Sequence, residues 1–433
     1  MQFNILTLGC KVNQYESQAM REDLLRHGFE QSPDRDRADI TVINTCTVTS
    51  VSDAKNRKLI NRVRRNNPGG IIVLTGCMPQ AFPDEMKAFT NCDVILGNKD
   101  RARLVPAIEE YISNKTPLTD IPAYLSADSY ENLTVTSFDE HTRAFIKIED
   151  GCNRFCSYCI IPYARGRVRS KPLDDLRREL ENVALNGYRE VVLVGINLSA
   201  YGLGESFDLA DAVEAACAVE GIDRVRLGSI EPEQMDEPLI KRLAAQPKFC
   251  PQFHLSLQSG CDNTLKAMNR HYDSAEYAEI VSRLRSAFDN AAITTDVMVG
   301  FAGESEADFQ ASMDFVKSIG FAKVHVFPYS LRKGTRAERM PDHVPPAEKE
   351  RRARLMGELT DNERQKFLRS QTGRVEPVLF ERLRRGYLEG YTKNYTPVRV
   401  YSDDTSLCGT IANVKLTEAK EDWCDGELTL VPG

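Results

Sequence analysis

The chain lacks the features of a membrane or secreted protein. Its longest apolar runs, such as those at residues 71–74 and 191–194, are four or five residues long and fall far short of the ~18 residues of a membrane span. Residues 1–4 carry no basic start before an apolar segment, so the sequence has no secretion signal of the usual kind. We therefore expect an intracellular protein of the cytoplasm.

The chain also lacks an excess of positive charge. Its 56 Lys and Arg residues stand against 63 Asp and Glu, giving a net charge of −7, which excludes a protein that is basic throughout but not local basic patches. The 433 residues are 42% hydrophobic and 27% charged, a globular composition with room for about three domains. What the chain has in abundance is cysteine, with twelve residues. A reducing compartment disfavours disulfides, which leaves metal ligation, catalysis or core packing for these thiols.

The hydrophobic pattern predicts an α/β multidomain protein that begins with a small parallel sheet. In residues 1–112, strand patterns alternate with helical ones, as in βαβ units. The strand patterns are 4–8, 40–44, 71–75 and 94–96, and the helical patterns are 14–26, 52–65, 82–88 and 101–111. Residues 113–141 lose this periodicity and are predicted to be a linker.

Residues 142–368 form a second alternating region. Six βα units over ~190 residues predict a partial (β/α)6 barrel with its active site at the carboxyl ends of the strands, closed by a charged helix at 347–368. Residues 369–433 predict a five-stranded β-barrel. The strands predicted for the two regions are 144–148, 190–194, 224–228, 252–257, 294–299 and 323–327, followed by 375–379, 387–392, 397–401, 408–414 and 426–431.

One cysteine group lies in the loop after the first barrel strand. Cys152, Cys156 and Cys159 have the spacing C-x3-C-x2-C, with no nearby fourth ligand. Structural zinc sites use four protein ligands. Three thiolates instead suit a cubane iron–sulfur cluster with one iron open to an external ligand.

A second cysteine group is distributed over three strand ends. Cys10, Cys46 and Cys77 each follow an apolar strand of the first domain, and the carboxyl ends of parallel strands lie along one sheet edge. These thiolates predict a second three-ligand site. The other six cysteines have no partner at metal spacing and are assigned to packing or turns: Cys92, Cys217, Cys250, Cys261, Cys408 and Cys424.

These motifs resemble the radical S-adenosylmethionine (SAM) methylthiotransferases, whose last domain is called TRAM. The resemblance covers essentially the whole chain, including residues 195–197, 254–260, 295–303 and 325–329. The sequence LGCKVNQYES at residues 8–17 is similar to the branch that acts on N6-threonylcarbamoyladenosine (t6A) in tRNA, at position 37 beside the anticodon. The branches that act on isopentenyladenosine or on a ribosomal-protein aspartate differ around this first cysteine.

The resemblance implies how the two cysteine groups work. Cys152, Cys156 and Cys159 would hold a 4Fe-4S cluster that binds SAM and generates a 5′-deoxyadenosyl radical, whereas Cys10, Cys46 and Cys77 would hold an auxiliary 4Fe-4S cluster that carries the sulfur. No catalytic side chain is expected, because an adenine C2–H offers no proton for a general base. A flavodoxin- or ferredoxin-type protein would supply electrons. The SAM-contact candidates at the strand ends are Gly195, Asn197, Ser229, Glu231, Gln258, Arg270, Asp296 and Phe327, with Arg270 expected to pair with the methionyl carboxylate.

Local basic clusters predict contacts with the anticodon stem-loop of tRNA. They occur at residues 55–65, after the C-x3-C-x2-C motif, and in the last domain, where Tyr387, Tyr391 and Tyr395 offer stacking rings. The predicted RNA contacts are Arg165, Arg167, Arg384, Arg385 and Lys393.

Three alternatives remain open at this point. The same chemistry would also fit isopentenylated adenosine or a ribosomal-protein aspartate. A radical enzyme that installs sulfur without methylation has the same cysteine spacing. A non-enzymatic RNA-binding protein with a structural metal is the rival from a different class.

Overall fold

The computed structural model describes residues 1–34, 37–138 and 142–429. The first domain is an all-parallel sheet with strand order β2-β1-β3-β4-β5-β6 and helices on both faces. Apolar side chains of its central strands fill a core on each face. Its elements are β1 (Gln2–Thr7), α1 (Lys11–Arg26), β2 (Glu30–Gln31), β3 (Ile40–Thr45), α2 (Ser50–Asn66), β4 (Ile71–Gly76), α3 (Cys77–Ala81), α4 (Pro83–Met86), β5 (Val94–Leu96), α5 (Leu104–Asn114) and β6 (Leu118–Asp120).

The predicted linker starts too early in the chain. Residues Leu118–Asp120 form β6, which pairs with β5 and extends the first sheet. The strand is short, and it is only partly buried, so it carries no apolar run that the sequence pattern could reveal. Residues 121–138 form no further strand or helix, and residues 139–141 of the predicted linker lie outside the described part of the chain.

The second domain contains the six predicted barrel strands, all parallel to their neighbours. They form two sheets, β11-β10-β7 and β12-β13-β14-β15, and the predicted strand 224–228 ends at Leu227 where the two sheets separate. The strands are β7 (Arg143–Lys147), β8 (Glu149–Asp150), β9 (Arg169–Ser170), β10 (Glu190–Val194), β11 (Arg224–Leu227), β12 (Ser229–Ile230), β13 (Gln252–Leu255), β14 (Ala292–Val299) and β15 (Lys323–Pro328). The helices are α6 (Ile161–Arg165), α7 (Leu173–Leu185), α8 (Leu209–Ala218), α9 (Glu237–Ala244), α10 (Asp262–Ala267), α11 (Ser274–Ala287), α12 (Glu306–Ile319) and α13 (Pro346–Gln371).

The third domain is the predicted β-barrel, closed in the order β16-β17-β18-β20-β19. Its alternating inward residues form a separate apolar core against the end of α13. The strands are β16 (Val375–Arg384), β17 (Tyr387–Thr392), β18 (Pro397–Tyr401), β19 (Ile411–Ala419) and β20 (Cys424–Leu428). The last two residues of the predicted strand 426–431 lie outside the described residues.

Charged side chains join the barrel to the second domain. Arg224 donates to the backbone oxygens of Tyr391 (2.9 Å) and Pro377 (2.6 Å). Arg143 donates to the Tyr395 hydroxyl at 2.8 Å and pairs with Glu381 at 2.8 Å. Arg143 and Arg224 are the first residues of β7 and β11. The β-barrel of the third domain therefore covers the amino ends of these strands and leaves their carboxyl ends free.

None of the helices in the described residues has both the length and the apolar character needed to cross a bilayer.

Candidate active site

The three N-terminal cysteines follow β1, β3 and β4 at the carboxyl edge of the first sheet, as the sequence predicted. Two of them follow a glycine with positive φ, +125° at Gly9 and +98° at Gly76, a conformation that other residues rarely adopt. A Cβ on Gly9 would lie 2.9 Å from the Cβ of Cys46. These glycines therefore let each strand turn sharply and bring its cysteine close to the others.

The three thiols are close enough to influence one another. Burial raises the pKa of Cys77 to about 12, and the neighbouring Cys46 and Cys10 thiols add to the rise. Asn98 Nδ2 donates to Cys77 Sγ at 3.7 Å. A buried thiol with a raised pKa is a poor free nucleophile, and metal ligation is what would hold it as a thiolate.

The second cysteine group lies on the loop between β8 and α6. Backbone contacts fix this loop, since Cys152 N donates to Gly166 O at 3.0 Å and Ser157 N donates to Met268 O at 2.9 Å. Burial raises the pKa of Cys152 to about 12, and the Cys156 thiol contributes to this rise. Arg270 Nη1 donates to Cys156 Sγ at 3.4 Å. Hydrogen bonds of this kind tune the potential of iron–sulfur clusters.

The donor set of each group fits a cubane with one open iron. Each group offers three thiols. Within residues 1–34, 37–138 and 142–429, no three Cys, His, Asp or Glu side chains lie close enough to share one metal ion. Such a separation of the thiols is compatible with a cubane, in which every thiolate binds a different iron. Cys10 is exposed, so the N-terminal group is open on one side.

Buried charges connect the two cysteine groups. Arg165, at the end of α6, donates from Nη1 to Glu16 Oε1 and from Nη2 to Asn13 Oδ1, both at 2.8 Å. Asn13 in turn donates to Thr45 O at 2.9 Å, beside Cys46. The same network therefore touches the N-terminal cysteine turns and the segment that follows the C-x3-C-x2-C loop.

Glu16 is the acidic centre of this network. It also accepts from Lys147 Nζ at 2.8 Å and pairs with Arg101 at 2.7 Å. Burial alone would raise the pKa of Glu16, but Arg101, Arg165 and Lys147 together lower it to about 2. The carboxylate is therefore ionised in the folded protein, as a buried, fully paired charge must be.

Two of the predicted SAM contacts lie against a buried carboxyl that the sequence analysis missed. Glu149 Oε2 accepts from Asn197 N at 2.7 Å and would lie 2.7 Å from a Cβ on Gly195. Gly195 therefore makes room for Glu149 itself. Glu149 Oε1 and Asn197 Oδ1 are both buried without a partner among the described residues. Burial raises the pKa of Glu149 to about 8. In the sequence, the position of Glu149 three residues before Cys152 was the one sign that it belongs to the site.

Arg270 has a protein partner in this structure. It forms an ion pair with Glu231 and also donates to Ser256 O at 3.1 Å. Its predicted pairing with the carboxylate of SAM would therefore compete with Glu231. Ser229 is exposed on β12 beside them.

The other three SAM-contact candidates lie on, or just after, neighbouring strands of the second sheet: Asp296 on β14, Phe327 on β15 and Gln258 after β13. Asp296 faces His254 Nε2 at 3.4 Å, and Gln258 adopts a φ of +67° where its backbone N donates to Asp296 O at 2.9 Å. Phe327 packs against the apolar cluster that includes Tyr158 of the cysteine loop. The fold thus brings candidates from several strands to one end of the partial barrel, and their contacts with SAM stay predictions.

One of the predicted RNA contacts is corrected by the structure. Arg165 is completely buried, with its guanidinium held by Glu16, Asp150 and Asn13, so it cannot reach a phosphate. Lys393 Nζ donates to Pro247 O at 2.8 Å across the domain interface, and its contact with RNA stays a prediction.

The tyrosines of the last domain form one pair at the domain interface and one pair at the surface. Tyr391 and Tyr395 stack on each other at 4.4 Å, and Arg143 lies over both rings. They are therefore part of the domain interface. Tyr387 is 41% exposed and stands next to Tyr401, which is 81% exposed and was not chosen from the sequence.

The remaining RNA candidates are at the surface. Arg384 and Arg385 are exposed at the turn between β16 and β17, and neither has an ion-pair partner among the described residues. Arg167 is exposed above the Phe155 ring, 5.0 Å from its centroid. On α2, Arg64 is held by Asp93 at 2.6 Å and Arg57 by Glu85 at 3.4 Å, whereas four other basic residues there are exposed: Lys55, Lys58, Arg62 and Arg65.

Comparison with known families follows the division seen in the structure. Residues 2–97 match an uncharacterized protein family, UPF0004, and residues 146–316 match the radical SAM superfamily. The partial barrel and its three-cysteine loop are thus those of a radical SAM protein, a class that uses SAM and a 4Fe-4S cluster.

Curated relatives extend this similarity over nearly the full length. The chain is 36% identical over 98% of its length to a threonylcarbamoyladenosine tRNA methylthiotransferase of Bacillus subtilis, covering 96% of that protein, and 37% identical over 90% of its length to the protein of that name from Thermotoga maritima, covering 89% of it. It is 33% identical over 98% of its length to a tRNA-2-methylthio-N(6)-dimethylallyladenosine synthase of Caldicellulosiruptor saccharolyticus, covering 92% of it. The chain belongs to the radical SAM tRNA methylthiotransferase family.

Solved structures agree on the fold. A radical SAM methyltransferase from Kitasatospora setae, solved with cobalamin and a 4Fe-4S cluster, has a TM-score of 0.58 over 90% of this chain and 77% of its own, at 12% identity.

Proposed function

We propose that this protein converts t6A in tRNA to its 2-methylthio derivative, using two 4Fe-4S clusters. The observation that carries the proposal is the pair of three-cysteine groups, whose segments a buried charge network connects. When bound, the clusters and SAM supply radical activation of adenine C2 and the sulfur and methyl group to be transferred. Because the substrate is tRNA, we place the activity in the cytoplasm.

The protein itself holds and shields these groups. Cys152, Cys156 and Cys159 would ligate the cluster that binds SAM, and Arg270 would stabilise the Cys156 thiolate by its hydrogen bond of 3.4 Å. Cys10, Cys46 and Cys77 would ligate the second cluster. Its open side at the exposed Cys10 would admit the substrate base.

The surface of the last domain would hold the anticodon stem-loop. Arg384 and Arg385, which have no ion-pair partner in the part of the chain that the structure describes, place two positive charges next to the exposed rings of Tyr387 and Tyr401. Cationic and aromatic side chains together are what single-stranded RNA loops bind. A flavodoxin- or ferredoxin-type protein would deliver the electrons.

The choice of t6A over isopentenyladenosine is supported by the relatives. Proteins of 34–37% identity to this chain carry the threonylcarbamoyladenosine name, and those named for dimethylallyladenosine reach 32–33%.

Nucleoside analysis of tRNA tests the proposal. In a strain that lacks this protein, mass spectrometry should find t6A without its 2-methylthio form, while methylthiolated isopentenyladenosine persists. Complementation with the wild type or with Cys408→Ala, a packing cysteine, should restore the product, and Cys152→Ala should not. Loss of the methylthio group from isopentenyladenosine alone would contradict the assignment.

A further inference from the structure

Lys11 occupies an unusual place between the first domain and the partial barrel. It directly follows Cys10 and begins α1. Its ammonium lies over the ring of Phe145 on β7, 5.8 Å from the centroid. Phe145 itself is only 6% exposed. The side chain therefore points from the N-terminal cysteine group toward β7, an edge strand of the second domain.

The Lys11 side chain is exposed, yet neighbouring protein partly surrounds its ammonium. Lys11 has no hydrogen bond or ion pair with any residue in the described ranges.

The surroundings of the Lys11 ammonium have an excess of positive charge. The guanidinium groups of Arg143 and Arg226 act on the Lys11 ammonium. Among the described residues, two carboxylates pair with these arginines: Glu190 lies 3.0 Å from Arg226, and Glu381 lies 2.8 Å from Arg143. Three cations thus share two carboxylates.

An unpartnered donor in the same group also points to a ligand. Arg226 is 2% exposed, and its Nη2 has no hydrogen-bond partner among the described residues. Its other nitrogens are used, Nε by Glu190 and Nη1 by the backbone oxygen of Lys393 at 3.0 Å. Buried donors without partners are rare, since each one costs free energy.

We propose that Lys11, with Arg226 behind it, binds a carboxylate on the N6 substituent of the substrate adenosine. The inference rests on the proposed function. Since Cys10 would hold the cluster next to adenine C2, the adjacent Lys11 can reach the substituent on the same base. A t6A base carries a carboxylate there, whereas an isopentenyl group carries no charge. Lys11 would therefore select the anionic substrate.

Binding of anticodon stem-loops tests this directly. Holoenzyme is titrated without reductant against three loops that contain t6A, its methyl ester, or unmodified adenosine. The wild type should prefer the t6A loop by about ten- to a hundred-fold, the value of one charge-assisted hydrogen bond. Lys11→Gln should lose this preference and bind the other two loops like the wild type. Lys317→Gln, on the exposed surface of α12, should retain it.

Two controls separate the possible sources of the carboxylate. The three loops share the same phosphates, so a change specific to the t6A loop cannot come from the RNA backbone. SAM also has a carboxylate, and its affinity measured without RNA should be the same in Lys11→Gln and the wild type. Iron content should match as well. A drop in SAM affinity alone would assign Lys11 to SAM and overturn the proposal.

The outcomes distinguish this inference from the proposed function. If Lys11→Gln keeps the full preference for the t6A loop, the inference is wrong and the t6A activity stands. If the wild type has no preference while the deletion strain still loses the methylthio group from t6A, the inference is again wrong by itself. Loss from isopentenyladenosine instead would overturn the proposed function.

Discussion

Arg165 of the barrel domain donates two hydrogen bonds to Glu16 of the N-terminal domain, at 2.8 and 3.0 Å, and both side chains are fully buried. The pair joins the segment after the C-x3-C-x2-C loop to the helix that follows Cys10. It therefore fixes how the two cysteine groups lie relative to each other.

Removing one partner of this pair should destabilise the protein. In Arg165→Met, Glu16 and Asp150 lose a buried cation, and breaking a buried ion pair in this way costs about 3–5 kcal/mol. Thermal unfolding of the anaerobic holoenzyme should show a clearly lower midpoint. Arg167→Met, which alters an exposed arginine two residues away, serves as the matched control. Equal midpoints for the two variants would contradict the structural role of Arg165.

Glu149 should make stability depend on pH. Its pKa is raised by burial from 4.5 to about 8, so the folded state binds a proton that the unfolded state has released. Stability therefore falls as pH rises from about 4.5 to about 8. Glu149→Gln removes this penalty, and its stability relative to the wild type should increase between about pH 4.5 and pH 8, by up to a few kcal/mol.

Denaturant unfolding at several pH values measures the effect of Glu149. Glu205→Gln, on an exposed loop, should show no such trend. A Glu149→Gln curve that runs parallel to the wild type over the whole range would mean that the carboxyl is already ionised at neutral pH.

The two cysteine groups should be separable by mutation. Cys159→Ala should abolish SAM cleavage, because the cluster that binds SAM loses a ligand. Cys10→Ala should still cleave SAM but form no methylthiolated product. Reconstituted wild type should hold about eight irons and each variant about four.

Cys408→Ala provides the control for these variants, since Cys408 only packs against the core of the last domain. It should match the wild type in iron content, SAM cleavage and product. Product formation by Cys10→Ala, or four irons in the wild type, would argue against two clusters.

Charge reversal on the last domain should weaken tRNA binding. Arg384→Glu combined with Arg385→Glu should lower affinity at least about ten-fold and reduce the salt dependence of binding, because two phosphate contacts are lost. SAM cleavage without tRNA should be unchanged. Arg177→Glu with Arg178→Glu, two exposed neighbours on α7, is the matched control, and an equal loss in both double variants would show a nonspecific charge effect.

Much of the fold could be predicted from local patterns. Apolar runs such as 71–75 and 190–194 predicted buried parallel strands, and the structure confirms them as β4 and β10. The short strand β6 was missed because three half-buried residues leave no such run.

The sequence by itself determined which cysteines belong together, because C-x3-C-x2-C and the repeated strand–cysteine pattern are local. It could not decide which basic residues are free. Arg165 pairs with a glutamate 149 positions earlier, and Tyr395 with Arg143 252 positions earlier. Whether a charge or ring faces solvent or a partner domain depends on long-range packing, so only the tertiary structure separated Arg165 from Arg384 and Arg385.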